Sequence, residues 1–198
     1  MSHTIVLATN NQGKVAEFQR LLTNTPYQIK AQAEFAIADA AETGLSFVEN
    51  AIIKARHASR ISKLPAIADD SGLEVDCLDG APGIHSARFA GPEARDADNN
   101  RKLLEQLQGL PPEQRKARFQ CLLVYMRHAE DPTPLICQGS WEGEILTEAR
   151  GNDGFGYDPL FYIPDCGCTS AQLSPAEKSR LSHRARAMAC MLKKLPNY

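Results

Sequence analysis

The alternation of apolar and polar positions along the chain predicts short strands and amphipathic helices that begin in the order β-α-β. The β-branched run over 4–9 has the length of a buried strand, and the apolar positions Val15, Phe18 and Leu22 that follow have helical spacing. Further strands are predicted over 27–31, 66–68, 73–77, 117–127, 135–141 and 160–163, with 144–148 extending the sheet, and helices over 46–61, 97–107 and 174–195. This order predicts an α/β fold in which helices flank a mixed β-sheet.

Composition sets limits on the class of protein. At 198 residues and 43% apolar residues, the chain suits one domain, or two lobes that share one core. The net charge of -2 gives no basic footprint for nucleic acid. The six cysteines are scattered without a zinc-binding pattern and are interpreted as reduced thiols. The amino-terminal apolar run is too short for a signal peptide, and no run of about 18 apolar residues predicts a membrane span. We therefore expect a cytoplasmic protein that binds neither nucleic acid nor membrane.

An adjacent pair of carboxylates, Asp69 and Asp70, follows the apolar run that begins at Leu64. We expect the strand to end there, at the sheet edge where open α/β sheets bind ligands. Two neighbouring acids repel each other unless a cation or a proton shares the site, and Mg²⁺ prefers carboxylate and phosphate oxygens. Successive strand residues point to opposite faces, so only one of the two should face the ligand. The alternative is an ordinary Asp-Ser-Gly turn.

Two glutamates precede this pair. Glu49 lies three residues after Ser46 and is explained as the acid of a capping box at a helix start. Glu42, just before Thr43-Gly44, has no such role and is a candidate for a distal metal ligand. One carboxylate of the aspartate pair could bind the metal while it orients or deprotonates a water molecule.

A polar segment at the predicted junction of the first strand and helix is a candidate anion site. It consists of Thr9, Asn10, Asn11, Gln12, Gly13 and Lys14. The backbone N–H groups and positive end of a helix attract phosphate, and the lysine adds a full charge. The segment is not a Walker A loop, because Ala8 and Val15 replace its first glycine and its Ser/Thr. The alternative is a polar turn with an exposed lysine.

Two later segments complete the candidate chemistry. In the run Gly154 to Pro159, glycines flank Phe155, whose flat ring can stack on a nucleobase; the alternative places that ring in the core. On the last predicted helix, Lys178 and Ser182 share a face that Arg184 borders. Cations near a helix amino end favour an anionic partner, although a solvated basic face is the alternative.

Together these segments resemble the inosine/xanthosine triphosphate pyrophosphatase family. The resemblance is carried by TNNQGK, ETGLSFVENAIIKA, LPAIADDSGLEVDCLDGAPGIHSAR, FGYDP and EKSRLSHR, which occur in this order from residue 9 to residue 184. Ala41 stands where some members of the family carry a second acid, which leaves Glu42 as the metal ligand.

The resemblance implies a single domain over 1–198 with two lobes, an elongated mixed sheet, a central substrate cleft and a homodimer. It also implies Mg²⁺-dependent hydrolysis of ITP, dITP and XTP to the monophosphate and pyrophosphate. The implied roles are as follows: Thr9 to Lys14 and Lys178 hold the phosphates; Glu42 and Asp70 bind Mg²⁺; Asp70 is the general base; Ser71 touches the ligand; and Phe155, Gly156, Tyr157, Asp158, His183 and Arg184 line the base pocket.

Elementary chemistry agrees with these roles. Lysines and Mg²⁺ neutralise the charge of a triphosphate. A buried donor such as Arg184 or a backbone N–H would hydrogen-bond to the 6-oxo group of a purine and would disfavour adenine, which carries an amino donor there. Nothing in the sequence explains how guanine is excluded. A non-catalytic nucleotide-binding regulator remains an alternative. So does a phospho-acceptor pair as in receiver domains, although those carry their acids after the first strand.

Overall fold

The structure, a computed structural model, describes residues 3–195. Its helices are α1 (Gln12–Leu21), α2 (Phe47–Ser62), α3 (Asp96–Gln106), α4 (Pro175–Leu181) and α5 (His183–Lys194). Its strands are β1 (His3–Leu7), β2 (Tyr27–Ala31), β3 (Ala66–Val75), β4 (Lys116–Met126), β5 (Leu135–Ile145), β6 (Phe161–Ile163) and β7 (Cys168–Thr169). No helix within this range has the length and apolarity needed to cross a membrane.

The strands form one mixed sheet in the order β2-β1-β3-β4-β5-β6-β7. Strand β1 pairs in parallel with β2 and with β3, so that Leu7 lies opposite both Ala31 and Ile67. Strand β6 pairs antiparallel with both β5 and β7. The predicted α/β architecture with a mixed sheet and flanking helices is confirmed.

The strand that carries the aspartate pair is longer than expected. We predicted a strand that ends before Asp69 and a second one from Leu73, whereas β3 is continuous from Ala66 to Val75. The expected strand end and the alternative Asp-Ser-Gly turn are both wrong. Both carboxylates are buried beside cationic side chains, so the chain has no need to turn out to solvent at this point.

The final helix was predicted as one element and is two. Ser182 has an extended backbone with ψ 159°, and its N–H donates to Lys178 O, which ends α4. Lys178 and Arg184 therefore lie on different helices, and the prediction that they border one helical face is wrong.

Strand β5 is also longer than predicted. The predicted break between the segments 135–141 and 144–148 is absent, because β5 runs on to Ile145.

The described chain divides into two compact units. The first contains the described parts of Met1–Asp70, Cys121–Gly139 and Arg184–Tyr198. In this unit one face of the sheet packs on α1 and α5, where Ile67 joins Phe18 and Met188. On the other face, Ala68 packs with Ala55 of α2. Alternate residues of β3 therefore face different helices.

The second unit contains Ser71–Gln120 and Ser140–His183. Its core joins Leu73 of β3, Leu103 of α3, Phe119 of β4, Trp141 of β5 and Phe161 of β6. The aromatic rings of Phe119 and Phe161 lie 4.5 Å apart at a tilt of 50°. This packing positions the loop between β5 and β6, which carries the run Gly154 to Pro159, called here the glycine-rich segment.

Candidate active site

Asp69 is fully buried in an ionic network on the face of β3 that packs on α1 and α5. It is 0% exposed, and its carboxylate accepts from Lys14 Nζ and, at 2.8 Å, from Arg184 Nε. The thiol of Cys121 donates to the same carboxylate at 3.3 Å. Burial alone would raise the pKa of Asp69, but the charges of Arg184 and Lys14 hold that pKa well below its usual range. Asp69 therefore remains a carboxylate and is poorly suited to accept a proton.

Asp70 lies on the opposite face of the strand, where it meets α2. Its Oδ1 accepts from Lys54 Nζ at 2.5 Å, and the residue is 7% exposed. Burial raises the pKa of Asp70 even though the charge of Lys54 acts in the other direction. A carboxylate with a raised pKa is a better proton acceptor near neutral pH. The two adjacent aspartates thus have different environments and different chemical capacities.

Lys54 joins Asp70 to Glu42. Its Nζ lies 2.9 Å from Glu42 Oε1, so one ammonium group contacts both predicted metal ligands. Burial would lower the pKa of Lys54, but the charges of Asp70 and Glu42 raise it, and the ammonium form persists. Our sequence reasoning missed this residue. The signal was a lysine within the apolar stripe of α2, three residues after Ala51 and four before Ala58.

The two carboxylates suit a divalent cation that shares its remaining sites with a ligand. Within residues 3–195, no group of three or more acidic, histidine or cysteine side chains is arranged to hold a metal by itself. Mg²⁺, however, is usually held by one or two carboxylates together with substrate phosphates and water. Glu42 and Asp70 already direct oxygens at one positive charge, so this donor set fits Mg²⁺.

The polar segment that follows β1 has the predicted strand-loop-helix form. Asn11 caps α1, and its Oδ1 accepts from Lys14 N at 3.0 Å. Thr9 Oγ1 accepts from Asn11 N at 3.2 Å, and Asn10 Nδ2 donates to Asp39 at 2.9 Å. These bonds fix the loop ahead of the positive end of the helix, which is the geometry expected for an anion site. The remaining predicted members, Gln12 and Gly13, form the first residues of α1.

The glycine-rich segment is organised around the buried carboxylate of Asp158. Asp158 Oδ2 accepts from Phe155 N at 2.9 Å and from Lys178 Nζ at 2.5 Å, and Oδ1 accepts from Ser170 Oγ at 2.8 Å. The ammonium of Lys178 lies 5.0 Å from the centre of the Phe155 ring. Gly154 has φ +83°, and a Cβ there would lie 2.1 Å from the Asp158 carboxylate. Only glycine fits this position.

The two aromatic residues of this segment differ in environment. Phe155 is half-buried, so the alternative that places its ring in the core is not supported. Tyr157 is 3% exposed, belongs to the apolar core and donates its hydroxyl to Ser86 O at 2.8 Å. Burial raises the pKa of Tyr157. Tyr157 therefore anchors the segment, and Phe155 carries the more accessible ring.

The last two predicted residues have different partners. His183 stacks on Phe119 in the second unit, with ring centres 4.8 Å apart and planes at 18°. Arg184 belongs to the first unit, where it is 1% exposed and contacts both Asp69 and Glu17. The charge of Asp69 raises the pKa of Arg184 despite its burial. Arg184 thus acts as a counter-ion for Asp69 in this structure.

The predicted site residues form two groups by unit. The first unit holds Thr9, Asn10, Asn11, Gln12, Gly13, Lys14, Glu42, Asp70 and Arg184, and the second holds Ser71, Phe155, Gly156, Tyr157, Asp158, Lys178 and His183. Lys178 was expected among the phosphate ligands, and the structure places it against Phe155 and Asp158.

The chain is similar to known proteins over nearly its whole length. The model of the Ham1 family matches residues 5–194. The dITP/XTP pyrophosphatase of Vibrio cholerae is 59% identical over 189 residues, which cover 96% of this chain and 94% of that protein. The dITP/XTP pyrophosphatase of Shigella flexneri is 56% identical over 193 residues, or 98% of both chains. The structure of a HAM1 protein from Coxiella burnetii has a TM-score of 0.91 and 48% identity, and covers 99% of this chain and 100% of that one.

Proposed function

Since the chain belongs to the Ham1 family, we propose that it hydrolyses ITP, dITP and XTP to the nucleoside monophosphate and pyrophosphate, with Mg²⁺ held by Glu42 and Asp70. The class of enzyme follows from the family: the chain is a nucleoside triphosphate pyrophosphatase, a hydrolase. The observation that carries the proposal is the convergence of two carboxylates on the single ammonium of Lys54. Clearing deaminated purines from the nucleotide pool is the corresponding cellular role.

Asp70 is the proposed general base. Its carboxylate accepts a proton from the water molecule that attacks the triphosphate, and the anhydride bond between the α- and β-phosphates breaks to release pyrophosphate. The burial that raises its pKa supports this role, because a base is most effective when its pKa approaches the working pH. The lowered pKa of the neighbouring Asp69 and its two cationic partners support Asp70 over Asp69 as the base.

Charge neutralisation is the second requirement of the reaction. When bound, Mg²⁺ would offset charge on the phosphate oxygens and make a coordinated water more acidic. Lys54 holds Glu42 and Asp70 around a positive charge, so a metal ion that uses the same oxygens must compete with this ion pair. Lys14 and the start of α1 are proposed to hold the phosphate tail, since Asn11 fixes the helix start and Lys14 adds a positive charge there.

The purine base of the substrate is proposed to bind to residues of the second unit. Phe155 offers a half-buried ring, and Asp158 fixes both the Phe155 backbone and Lys178. The contacts proposed for Ser71, Tyr157, His183 and Arg184 rest on the resemblance alone. The described partners of Arg184 are acids of the protein, which weighs against its use as the sole donor to a 6-oxo group.

A panel of purified nucleoside triphosphates tests the proposal. With Mg²⁺, the enzyme should release pyrophosphate and no orthophosphate from dITP, ITP and XTP, and should turn over dATP far more slowly. Asp70→Asn should abolish turnover with the fold intact, while the control Asp165→Asn, at an exposed carboxylate, should behave as the wild type. Tight dITP binding with no product at high enzyme and Mg²⁺ concentrations would instead favour the non-catalytic regulator.

Three further properties are proposed on the resemblance: one domain with two lobes, a homodimer and a cytoplasmic location. Sedimentation equilibrium tests the second, because a dimer predicts twice the mass of one chain. A mass equal to one chain at micromolar concentration would contradict it.

A further inference from the structure

Two side chains of α3 hold the peptide groups on both sides of Gly156. Asp96 Oδ2 accepts from Gly156 N at 2.6 Å, and Asn100 Nδ2 donates to Gly156 O at 2.8 Å. Asn100 Nδ2 also donates to Asp96 O at 2.7 Å, within the helix. Asp96 and Asn100 are four residues apart, so they share one face of α3. All these contacts lie within the second unit.

These bonds act at a residue whose position leaves room for a side chain. Gly156 has φ +62°, and a Cβ placed on it would meet nothing within 4 Å. The left-handed conformation is therefore not imposed by crowding. The neighbours of Gly156 are fixed by other contacts: Phe155 N donates to Asp158, and the Tyr157 hydroxyl donates to Ser86 O. At Gly156 itself, between Phe155 and Tyr157, the described hydrogen bonds come from Asp96 and Asn100.

A cavity adjoins the same contacts. It has a volume of about 590 Å³ and is lined by Asp96, Asn100 and Leu104 of α3 together with Gly154, Phe155 and Gly156. The side chains that fix Gly156 therefore lie on the wall of a space that also contains Phe155. A small displacement of Gly156 would move the adjoining Phe155 and alter this wall.

We propose that Asp96 and Asn100 are positioning residues that set Phe155 for contact with the purine base. This inference rests on the proposed function of Phe155 as the base-stacking residue. Loss of either hydrogen bond allows the Gly156 peptide to rotate, so the ring spends less time in the binding orientation. The consequence falls on recognition of the base and leaves the phosphate chemistry at Asp70 unchanged.

The test compares Asp96→Ala and Asn100→Ala with the wild type in steady-state hydrolysis of dITP. Each variant should raise KM about tenfold, as expected for the loss of one well-formed hydrogen bond, and leave kcat within about twofold. The inhibition constant of inorganic tripolyphosphate, which has no base, should stay unchanged. Asp96→Asn keeps an acceptor oxygen and should restore most of the affinity.

Asp98→Ala is the matched control. It removes one acid from the same helical turn and a bond to Arg95 N at 3.1 Å, but Asp98 does not contact Gly156 in the structure. Its KM for dITP should equal that of the wild type. If Asp98→Ala and Asp96→Ala raise KM equally, or if both lower kcat and tripolyphosphate binding together, the effect is general weakening of α3 and the positioning role is overturned.

A mutant cycle with Phe155→Ala separates this inference from the proposed function. If Asp96 acts through the ring, then Asp96→Ala in the Phe155→Ala background should add less than about twofold to KM. If the effects of Asp96→Ala and Phe155→Ala on KM multiply in full in the double variant, the inference is overturned. An unchanged KM in Phe155→Ala alone would contradict the proposed base site, whereas a raised KM there with normal Asp96→Ala and Asn100→Ala would contradict only the positioning role.

Discussion

Replacing each of the two adjacent aspartates on β3 by asparagine is expected to affect different properties: stability for Asp69 and activity for Asp70. Asp69→Asn should destabilise the protein, because it removes a fully buried charge that accepts from Arg184, itself 1% exposed. Removing one partner of a buried pair costs about 3–5 kcal/mol. Glu17 continues to compensate Arg184, and asparagine retains an acceptor oxygen. The expected loss is therefore near the lower limit, about 3 kcal/mol.

Asp70→Asn should preserve stability and remove activity. Folding raises the pKa of Asp70, so its ionised form is already disfavoured in the native protein, and Lys54 keeps Glu42 as a partner. We expect a change of about 1 kcal/mol or less in the free energy of unfolding. Turnover should fall by a factor of at least about 10²–10⁴, which is the usual contribution of a general base.

Urea unfolding followed by circular dichroism at pH 7, with a pyrophosphate-release assay on the same samples, measures both effects. The folded pKa of Asp69 lies below its ordinary value of 3.8, so its stabilisation is complete above that pH and is lost as pH falls through the lowered pKa. The stability difference between wild type and Asp69→Asn should therefore persist from pH 7 to about pH 4 and shrink in stronger acid. Asp69→Asn with wild-type stability and Asp70→Asn with several kcal/mol lost would refute this reasoning.

Three further predictions concern Lys54, the metal ion and Gly154. Lys54→Met should move the acid limb of the pH profile of kcat/KM upward, because Lys54 lowers the pKa of Asp70; an unmoved limb would contradict this. Chelation with EDTA should abolish turnover with the circular dichroism spectrum unchanged, Mg²⁺ should restore it, and Glu42→Gln should need more Mg²⁺ for half-maximal activity; equal Mg²⁺ dependence would exclude Glu42 as a ligand. Gly154→Ala should lower the free energy of unfolding by about 1–3 kcal/mol and raise KM for dITP, because a Cβ would press on Asp158 at a left-handed φ; wild-type values for both would show that the loop adjusts freely.

The sequence predicted the architecture well because the apolar periodicity is strong in most elements. Strand β2 has the predicted bounds, and α2 starts after Ser46 as its capping box indicated. The failures occurred where long-range partners decide the local structure. The strand was expected to end at Asp69 and Asp70 because isolated carboxylates avoid a strand interior, but side chains distant in sequence, Lys14 and Lys54, stabilise them there.

For the candidate site, the sequence indicated candidate side chains but not the contacts between them. The sequence marked both aspartates but could not distinguish them, since their roles depend on which helix packs on each face of β3. Lys54 was missed because it lies in the apolar stripe of α2, where a single lysine does not by itself indicate a functional site. Arg184 was expected beside Lys178, but the extended backbone at Ser182 starts a new helix and Arg184 meets Asp69.

A crystal structure of the Asp70→Asn variant with dITP and Mg²⁺ would show where the nucleotide and the metal ion bind. We expect an intact nucleotide whose phosphates contact Lys14 and a Mg²⁺ ion bound by Glu42, and whose base contacts Phe155. A nucleotide bound away from these side chains, or a metal ion held by other residues, would show that the proposed active site is wrong.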